Sequence, residues 1–294
     1  MNKNFKVFGF EFNVRKFLIT MACALMVFAV LLILDMYVTP ISWYGVIMGT
    51  AFLVAIVLGC QLMKERGLPS EFPYDLIWYV FPLAIIGARV YYVLFSLDEF
   101  NTFWEMLEIW KGGLAIYGGV IGGIIGVGIC CAVKKRNFVD TLDVLAPVLI
   151  LGQAMGRWGN FINQEVFGYE VTNPNWQWFP FAVHIDNGLY NGWFLATFFY
   201  ESVLNLIGFI LLVILLRKVK VRGIVGCGYL IFYGLVRFFL EGLRVSTYIL
   251  YIPGTKFPVS QAVSLSMIVI GAVWLTIIAI RYKGNAKNSK ISSN

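Results

Sequence analysis

An all-α, polytopic integral membrane protein with about eight transmembrane helices and both termini in the cytoplasm is the fold class that this sequence predicts. Three observations lead there. Of 294 residues, 60% are hydrophobic and only 13% are charged, roughly half the charged share that a water-soluble domain carries, and the mean hydropathy is +0.78. Eight apolar stretches approach the ~20 residues that a helix needs to cross ~30 Å of hydrocarbon. The lysines and arginines between these stretches alternate: seventeen of 23 fall on one side of the membrane, three on the other and three inside spans. The side that keeps the positive charge is the cytoplasmic one.

The elements follow in order. A basic segment holding Lys3, Lys6, Arg15 and Lys16 precedes the first span, 17 to 38. A cleaved secretory signal is the other reading of such a start, but Ile33-Leu34-Asp35-Met36 suits a signal peptidase poorly, so an uncleaved helix is expected. Further spans are expected at 41 to 62, 76 to 97, 112 to 133, 142 to 161, 194 to 216, 224 to 243 and 260 to 280. Lys64 and Arg66, then Lys134, Lys135 and Arg136, then Arg217, Lys218, Lys220 and Arg222 mark the cytoplasmic turns, and Arg281, Lys283, Lys287 and Lys290 mark the tail. The opposite side has Lys111, Arg244 and Lys256, with Asp98, Glu99, Glu105 and Glu108 in its segment 98 to 111.

The long outer connection, 162 to 193, has no Lys or Arg and is rich in aromatics, among them Trp176, Trp178, Phe179 and Phe181, with Trp193 at its end. Such side chains favour the headgroup level, so the loop is expected to lie on the membrane surface. The chain thereby divides into 1–40, a basic segment with an extra helix; 41–281, a seven-helix membrane domain; and 282–294, a basic cytoplasmic tail without order. Net charge +7 follows from the retained cytoplasmic cations and implies no nucleic-acid partner. Cys23, Cys60, Cys130, Cys131 and Cys227 lie in apolar stretches without metal-ligand spacing and read as small buried hydrophobes.

An ionisable residue inside a span is costly unless paired or wetted, so each one is a functional hypothesis. With the orientation above, Arg157 stands at the outer end of the fifth span, in Gly156-Arg157-Trp158-Gly159-Asn160-Phe161-Ile162-Asn163-Gln164-Glu165, and Arg237 at the outer end of the seventh, followed by Glu241 and Arg244. Trp43-Tyr44-Gly45 and the run from Gly112 to Gly119 begin the second and fourth spans on the same side, and Arg89 lies past the midpoint of the third. Arg237, Glu241 and Arg244 are i, i+4 and i+7, and Arg157, Asn160 and Gln164 are i, i+3 and i+7, each set on one helical face. Arginines gathered at one depth outnumber the carboxylates there, and an anionic ligand completes the balance. The planar, always-charged guanidinium suits phosphate.

Other motifs weigh less. Gly118, Gly122 and Gly126 recur every four residues, a spacing that lets helices pack closely, whereas the amides of Gly112 and Gly113 at a helix start are placed to meet an anion. Val57-Leu58-Gly59-Cys60 resembles the lipidation signal of bacterial lipoproteins but sits at the cytoplasmic end of a span, and is read as chance. His184, the one histidine, reads as a solvated loop residue. P-loop, GxSxG and HExxH motifs are absent.

The run Gly156-Arg157-Trp158-Gly159-Asn160-Phe161-Ile162-Asn163-Gln164-Glu165-Val166-Phe167-Gly168 resembles the G-R-x-G-N-F-x-N-x-E-x-x-G signature of bacterial prolipoprotein diacylglyceryl transferases. Trp43-Tyr44-Gly45, the stretch from Gly87 through Arg89 to Val93, the run from Gly112 to Gly119, and Tyr233-Gly234 with Arg237, Glu241 and Arg244 fit the same family in the same order. The similarity covers about 41 to 280 and leaves the first span outside. Two positions depart: Tyr117 stands where some members have a histidine, proposed as a base, and Leu195 where members often have histidine.

The resemblance implies transfer of the diacylglyceryl group of phosphatidylglycerol to the lipobox cysteine thiol in the signal peptide of a lipoprotein precursor, at the bacterial plasma membrane and without a cofactor. Arg157 and Arg237 are expected to hold the phosphate, Arg244 to attract headgroups at the rim, Asn160 and Asn163 to orient oxygens, and Glu165 and Glu241 to fix the arginine forks. Tyr117 or a carboxylate is expected to relay the thiol proton. Tyr44, Arg89 and Gly168 complete the expected substrate-binding set. No metal is required where guanidiniums supply the charge. The competing class is a transporter or flippase for an anionic lipid or metabolite, which would open to both faces through broken, repeated helices.

Overall fold

The computed structural model describes residues 4–7, 10–13, 43–245, 247, 249–252 and 254–291. It divides into two compact units, Met1–Val46 and Ile47–Asn294. In the first, strands β1 (Asn4–Val7) and β2 (Phe10–Asn13) form an antiparallel hairpin, with Asn4 opposite Asn13 and Val7 opposite Phe10. The sequence reading did not anticipate this hairpin. The expected span at 17 to 38 lies outside the described residues.

Among the described residues seven helices are long and apolar enough to cross a membrane, so the chain is a multi-pass membrane protein. They are α1 (Trp43–Glu65), α2 (Phe72–Phe95), α3 (Ile116–Val133), α4 (Phe138–Ile162), α5 (Thr197–Lys218), α6 (Ile224–Glu241) and α7 (Val259–Ile291). Short hydrophilic turns join α1 to α2, α3 to α4 and α5 to α6 at one end of the bundle, and the longer connections lie at the other. Neighbours along the chain pack together: α2 on α3, α4 on α5, α5 on α6 and α6 on α7, with α4 also touching α3 and α6.

Glycine stripes set the closest approach. A Cβ at Gly118 or Gly122 would collide with the carbonyl oxygens of Gly87 or Leu83, and one at Gly126 would lie 2.8 Å from Tyr79 O, so α3 meets α2 backbone to backbone. The packing reading of the stripe therefore holds. At the short-turn end, Asp143 of α4 is fully enclosed and accepts from Gly223 N (2.7 Å), Gly226 N (2.8 Å) and Arg66 Nη2 (3.3 Å). It satisfies amides that the first turn of α6 leaves unpaired. Gly223 adopts φ +87° there, a conformation that costs glycine nothing.

Two boundaries differ from expectation. α3 starts at Ile116, not at 112, because Gly112 and Gly113 take φ +92° and +70° and turn their carbonyls toward Arg89. α7 runs on to Ile291 instead of stopping near 280. The polar stretch after Tyr282 contains no proline to end it.

The outer connection carries structure of its own. Strands β3 (Ala182–Asp186) and β4 (Asn191–Leu195) pair antiparallel, adding a hairpin to an otherwise helical bundle. Phe167, Val183, Ile185, Phe194, Ala196 and Phe198 bury a small apolar core beneath it. Trp176, Trp178 and Phe179 remain about half exposed, as residues meant for a headgroup layer would be. His184 points outward on the hairpin, in keeping with its solvated reading.

Candidate functional site

α4 ends in a left-handed reversal. Gln164 and Val166 take φ +50° and +57° on either side of Glu165, unfavourable for non-glycine residues and worth ~1–3 kcal/mol each. The reversal is held by Thr197 Oγ1 donating to Val166 O at 3.0 Å and by Asp186 N donating to Gln164 Oε1 at 2.8 Å. It brings Glu165 back over the helix end, where its Oε1 accepts from Asn160 Nδ2 at 2.9 Å and from Asn163 Nδ2 at 3.4 Å. Gln164 thus serves the hairpin and does not extend the face of Arg157 and Asn160, because the helix stops at Ile162.

Beside this helix end lies a cluster of three guanidiniums. Arg157 donates to Asn160 Oδ1 (3.1 Å) and Glu201 Oε1 (2.7 Å). Arg237 donates to Glu201 Oε2 (3.2 Å) and Glu241 Oε2 (2.9 Å). Arg244 donates to Glu201 Oε2 (3.2 Å) and lies 3.2 Å from Glu241 Oε2. Glu201 thus joins arginines from three segments, and its side chain is only 1% exposed. Direct contact matches three positive charges with two negative ones and leaves one cation in excess. Arg157 and Arg237 keep 18% and 14% of their side chains open against 8% for Arg244, so an added anion would meet the first two. The water-poor setting strengthens such an attraction.

The expected residues sort unevenly. Arg157, Arg237, Glu241, Arg244, Asn160, Asn163 and Glu165 come together, and Tyr117 lies within electrostatic reach of Arg237 and Glu241. Tyr44 stands in the first turn of α1.

Four expectations need correction. Arg244 is no rim residue: it is 6% exposed and braced by both glutamates, since the chain past α6 folds back and pairs with Gly168 in a β-bridge. Gly168 is itself buried, and a Cβ there would lie 2.7–2.8 Å from Leu195, Leu243 and Thr197 atoms, so its smallness permits that bridge. Glu165 holds asparagines and not an arginine fork.

Arg89, finally, is spent elsewhere. Its guanidinium donates to the carbonyls of Glu105 (2.8 Å), Met106 (2.9 Å), Gly112 (2.7 Å) and Gly113 (3.0 Å), pinning the 97–113 segment to α2. The Gly112 and Gly113 carbonyls thus face a cation, and the Gly112 amide donates to Ile109 O at 3.2 Å. A cleft of about 330 Å³ beside Arg89 is lined by Glu99, Glu105, Glu108 and Lys111. Glu108 lies 2.7 Å from the Lys111 ammonium and holds it above the usual lysine range.

Glu201 is the site residue that reading the sequence missed. Its signal was available: it is the single acidic residue in the apolar run from Thr197 to Leu216, and an ionisable group inside a span is costly unless paired. Tyr233, within electrostatic reach of Glu201, Arg237 and Arg157, was noted only as part of a motif.

Fold and site together define a class, a polytopic helical membrane protein with a cationic cluster enclosed at the end of its bundle where α4 and α6 finish and α5 begins. The chain belongs to the prolipoprotein diacylglyceryl transferase family, whose model matches residues 31–277. Among similar proteins, phosphatidylglycerol-prolipoprotein diacylglyceryl transferase 1 of Clostridium perfringens is 43% identical over 251 residues, covering 84% of this chain and 94% of its own. The phosphatidylglycerol-prolipoprotein diacylglyceryl transferase of Listeria monocytogenes is 40% identical over 233 residues, covering 78% and 83%. That of Geobacillus kaustophilus is 39% identical over 255 residues, covering 84% and 91%.

Proposed function

We propose that this chain is an enzyme of the bacterial plasma membrane that moves the diacylglyceryl group of phosphatidylglycerol onto the lipobox cysteine of lipoprotein precursors. The cysteine thiolate attacks the glyceryl carbon that carries the phosphate. A carbon–sulfur bond forms, the carbon–oxygen bond breaks with its electron pair going to phosphate, and glycerol phosphate leaves. The observation that carries the reading is the excess cation at Glu201, with Arg157 and Arg237 the more exposed of its three arginines, where the departing phosphate would gain charge. Preorganised charge of this kind stabilises the transition state without reorganisation. It also favours the thiolate of a nearby thiol.

Within that reaction Arg157 and Arg237 hold the phosphate, and Glu201, Glu241 and Arg244 keep both forks in place. Asn160 and Asn163, steadied by Glu165, orient glycerol or phosphate oxygens. Tyr117, near Arg237 and Glu241, relays the thiol proton. The cluster faces the outer leaflet, both termini are cytoplasmic, and Tyr44 belongs to the substrate-binding set. Residues 41–281 form the catalytic membrane domain, flanked by the basic segments 1–40 and 282–294. Purified protein incubated with phosphatidylglycerol vesicles and a lipobox peptide is expected to add one diacylglyceryl mass to the peptide's cysteine. Movement of lipid between leaflets without that adduct would establish transport instead.

A further inference from the structure

Polar chemistry continues into the bundle beyond the arginine cluster. One helical turn inward, α4 carries Gln153, four residues before Arg157, and α5 carries Asn205, four residues after Glu201. The two helices run antiparallel with Arg157 on Glu201, Ser202 Oγ donating to Ala154 O at 2.9 Å, and Gly208 against Ile150. Gln153 and Asn205 therefore share one layer. α6 contributes Tyr229 to it, whose hydroxyl accepts from Gln153 Nε2 at 3.0 Å and whose ring stacks on Tyr233 with centroids 5.6 Å apart.

The layer is incomplete. Asn205 is 0% exposed, and neither its Oδ1 nor its Nδ2 has a hydrogen-bond partner; Gln153 Oε1 has none either. The ion pair of Arg157 and Glu201 closes the layer on one side. On the other, Phe232 and Ile150 fill the space where Gly208 would carry a Cβ. Two acceptors and an NH2 group are thus enclosed together, and unpaired polar atoms at membrane depth are costly. The missing partner must both donate and accept. An acyl chain does neither, and an ester carbonyl would satisfy the NH2 alone. Water, which makes about three hydrogen bonds at buried polar sites, matches the set.

We propose that Gln153, Asn205 and Tyr229 form a binding site for internal water that bridges α4, α5 and α6 one turn from the arginine cluster. The water ties together the two helices that carry Arg157 and Glu201, so it acts as a clamp on the spacing of that ion pair. The inference does not depend on the reaction proposed above.

Density at about 2 Å resolution for the full-length protein in lipid nanodiscs is expected to show ordered water within hydrogen-bond distance of the Asn205 amide. Direct protein partners for all three orphaned atoms, with no water density, would overturn the proposal. A thermal-unfolding cycle supplies the second arm. Asn205→Leu and Gln153→Leu are each expected to lower the midpoint by about 3 °C or more, and the double variant by clearly less than the two together. Removing both partners of a shared interaction is nearly neutral, whereas removing one orphans the other. Additive losses, or a midpoint raised by either single change, would count against the site. If Asn205→Leu does not fold, the same cycle is run with Asn205→Ser, which keeps one group for the water.

Discussion

Removing the Glu201 carboxylate would leave Arg157, Arg237 and Arg244 facing one another with only Glu241 between them. Glu201→Gln keeps the shape and deletes the charge. Breaking a buried pair costs about 3–5 kcal/mol, so the variant is expected to unfold at a lower temperature in detergent and to lose most transfer activity. Unchanged stability and turnover would show that the arginines do not depend on it. Arg237→Ala is expected to abolish lipidation of a lipobox peptide while the variant stays folded, because Glu201 keeps Arg157 and Arg244; retained turnover would remove Arg237 from the phosphate site. Tyr117→Phe separates two roles of one ring. If the hydroxyl relays the proton, the rate falls and its pH profile changes, whereas an unchanged profile would leave the ring as a membrane-interface anchor. The residue scale is also where single positions mislead: Arg89 has the same side chain as Arg157, yet backbone carbonyls take four of its five N–H donors.

At the scale of elements, the seven described helices are legible because a long apolar run has few ways to satisfy its backbone in hydrocarbon except as helix. Their ends are less so. Hydropathy places the start of α3 at Gly112, but the carbonyls of Gly112 and Gly113 are claimed by Arg89 on another helix, a contact that no local pattern contains. The α2–α3 contact offers a sharp test. Gly122→Leu would drive a side chain into the Leu83 carbonyl, and since overpacking costs ~1–3 kcal/mol or more, less monodisperse protein and a lower unfolding midpoint are expected. Ile121→Leu, on the adjacent position whose side chain is 54% exposed in the bundle, should change neither. Equal behaviour of the two variants would mean that the helices do not rely on backbone contact there.

For the whole molecule, the distribution of lysine and arginine is expected to orient the bundle with the 98–111 segment outside and the 134–136 turn inside. In intact cells, and in a background without native cysteines, Asn101→Cys is expected to react with a membrane-impermeant thiol reagent and Arg136→Cys only after permeabilisation. The opposite pattern would invert the topology and place the arginine cluster at the inner leaflet. The sequence by itself determined that the chain lives in a bilayer, how many helices span the described part, and which arginines stand near helix ends. Those properties are sums over neighbouring residues, and hydropathy and helical spacing record them directly. Tertiary structure alone decided that Glu201 joins three arginines 44, 36 and 43 positions away, that Arg244 is enclosed, and that Gln153 and Asn205 share a layer. These depend on which helix faces which and at what height, and a charge buried in low dielectric takes its meaning from its partners and not from its place in the chain.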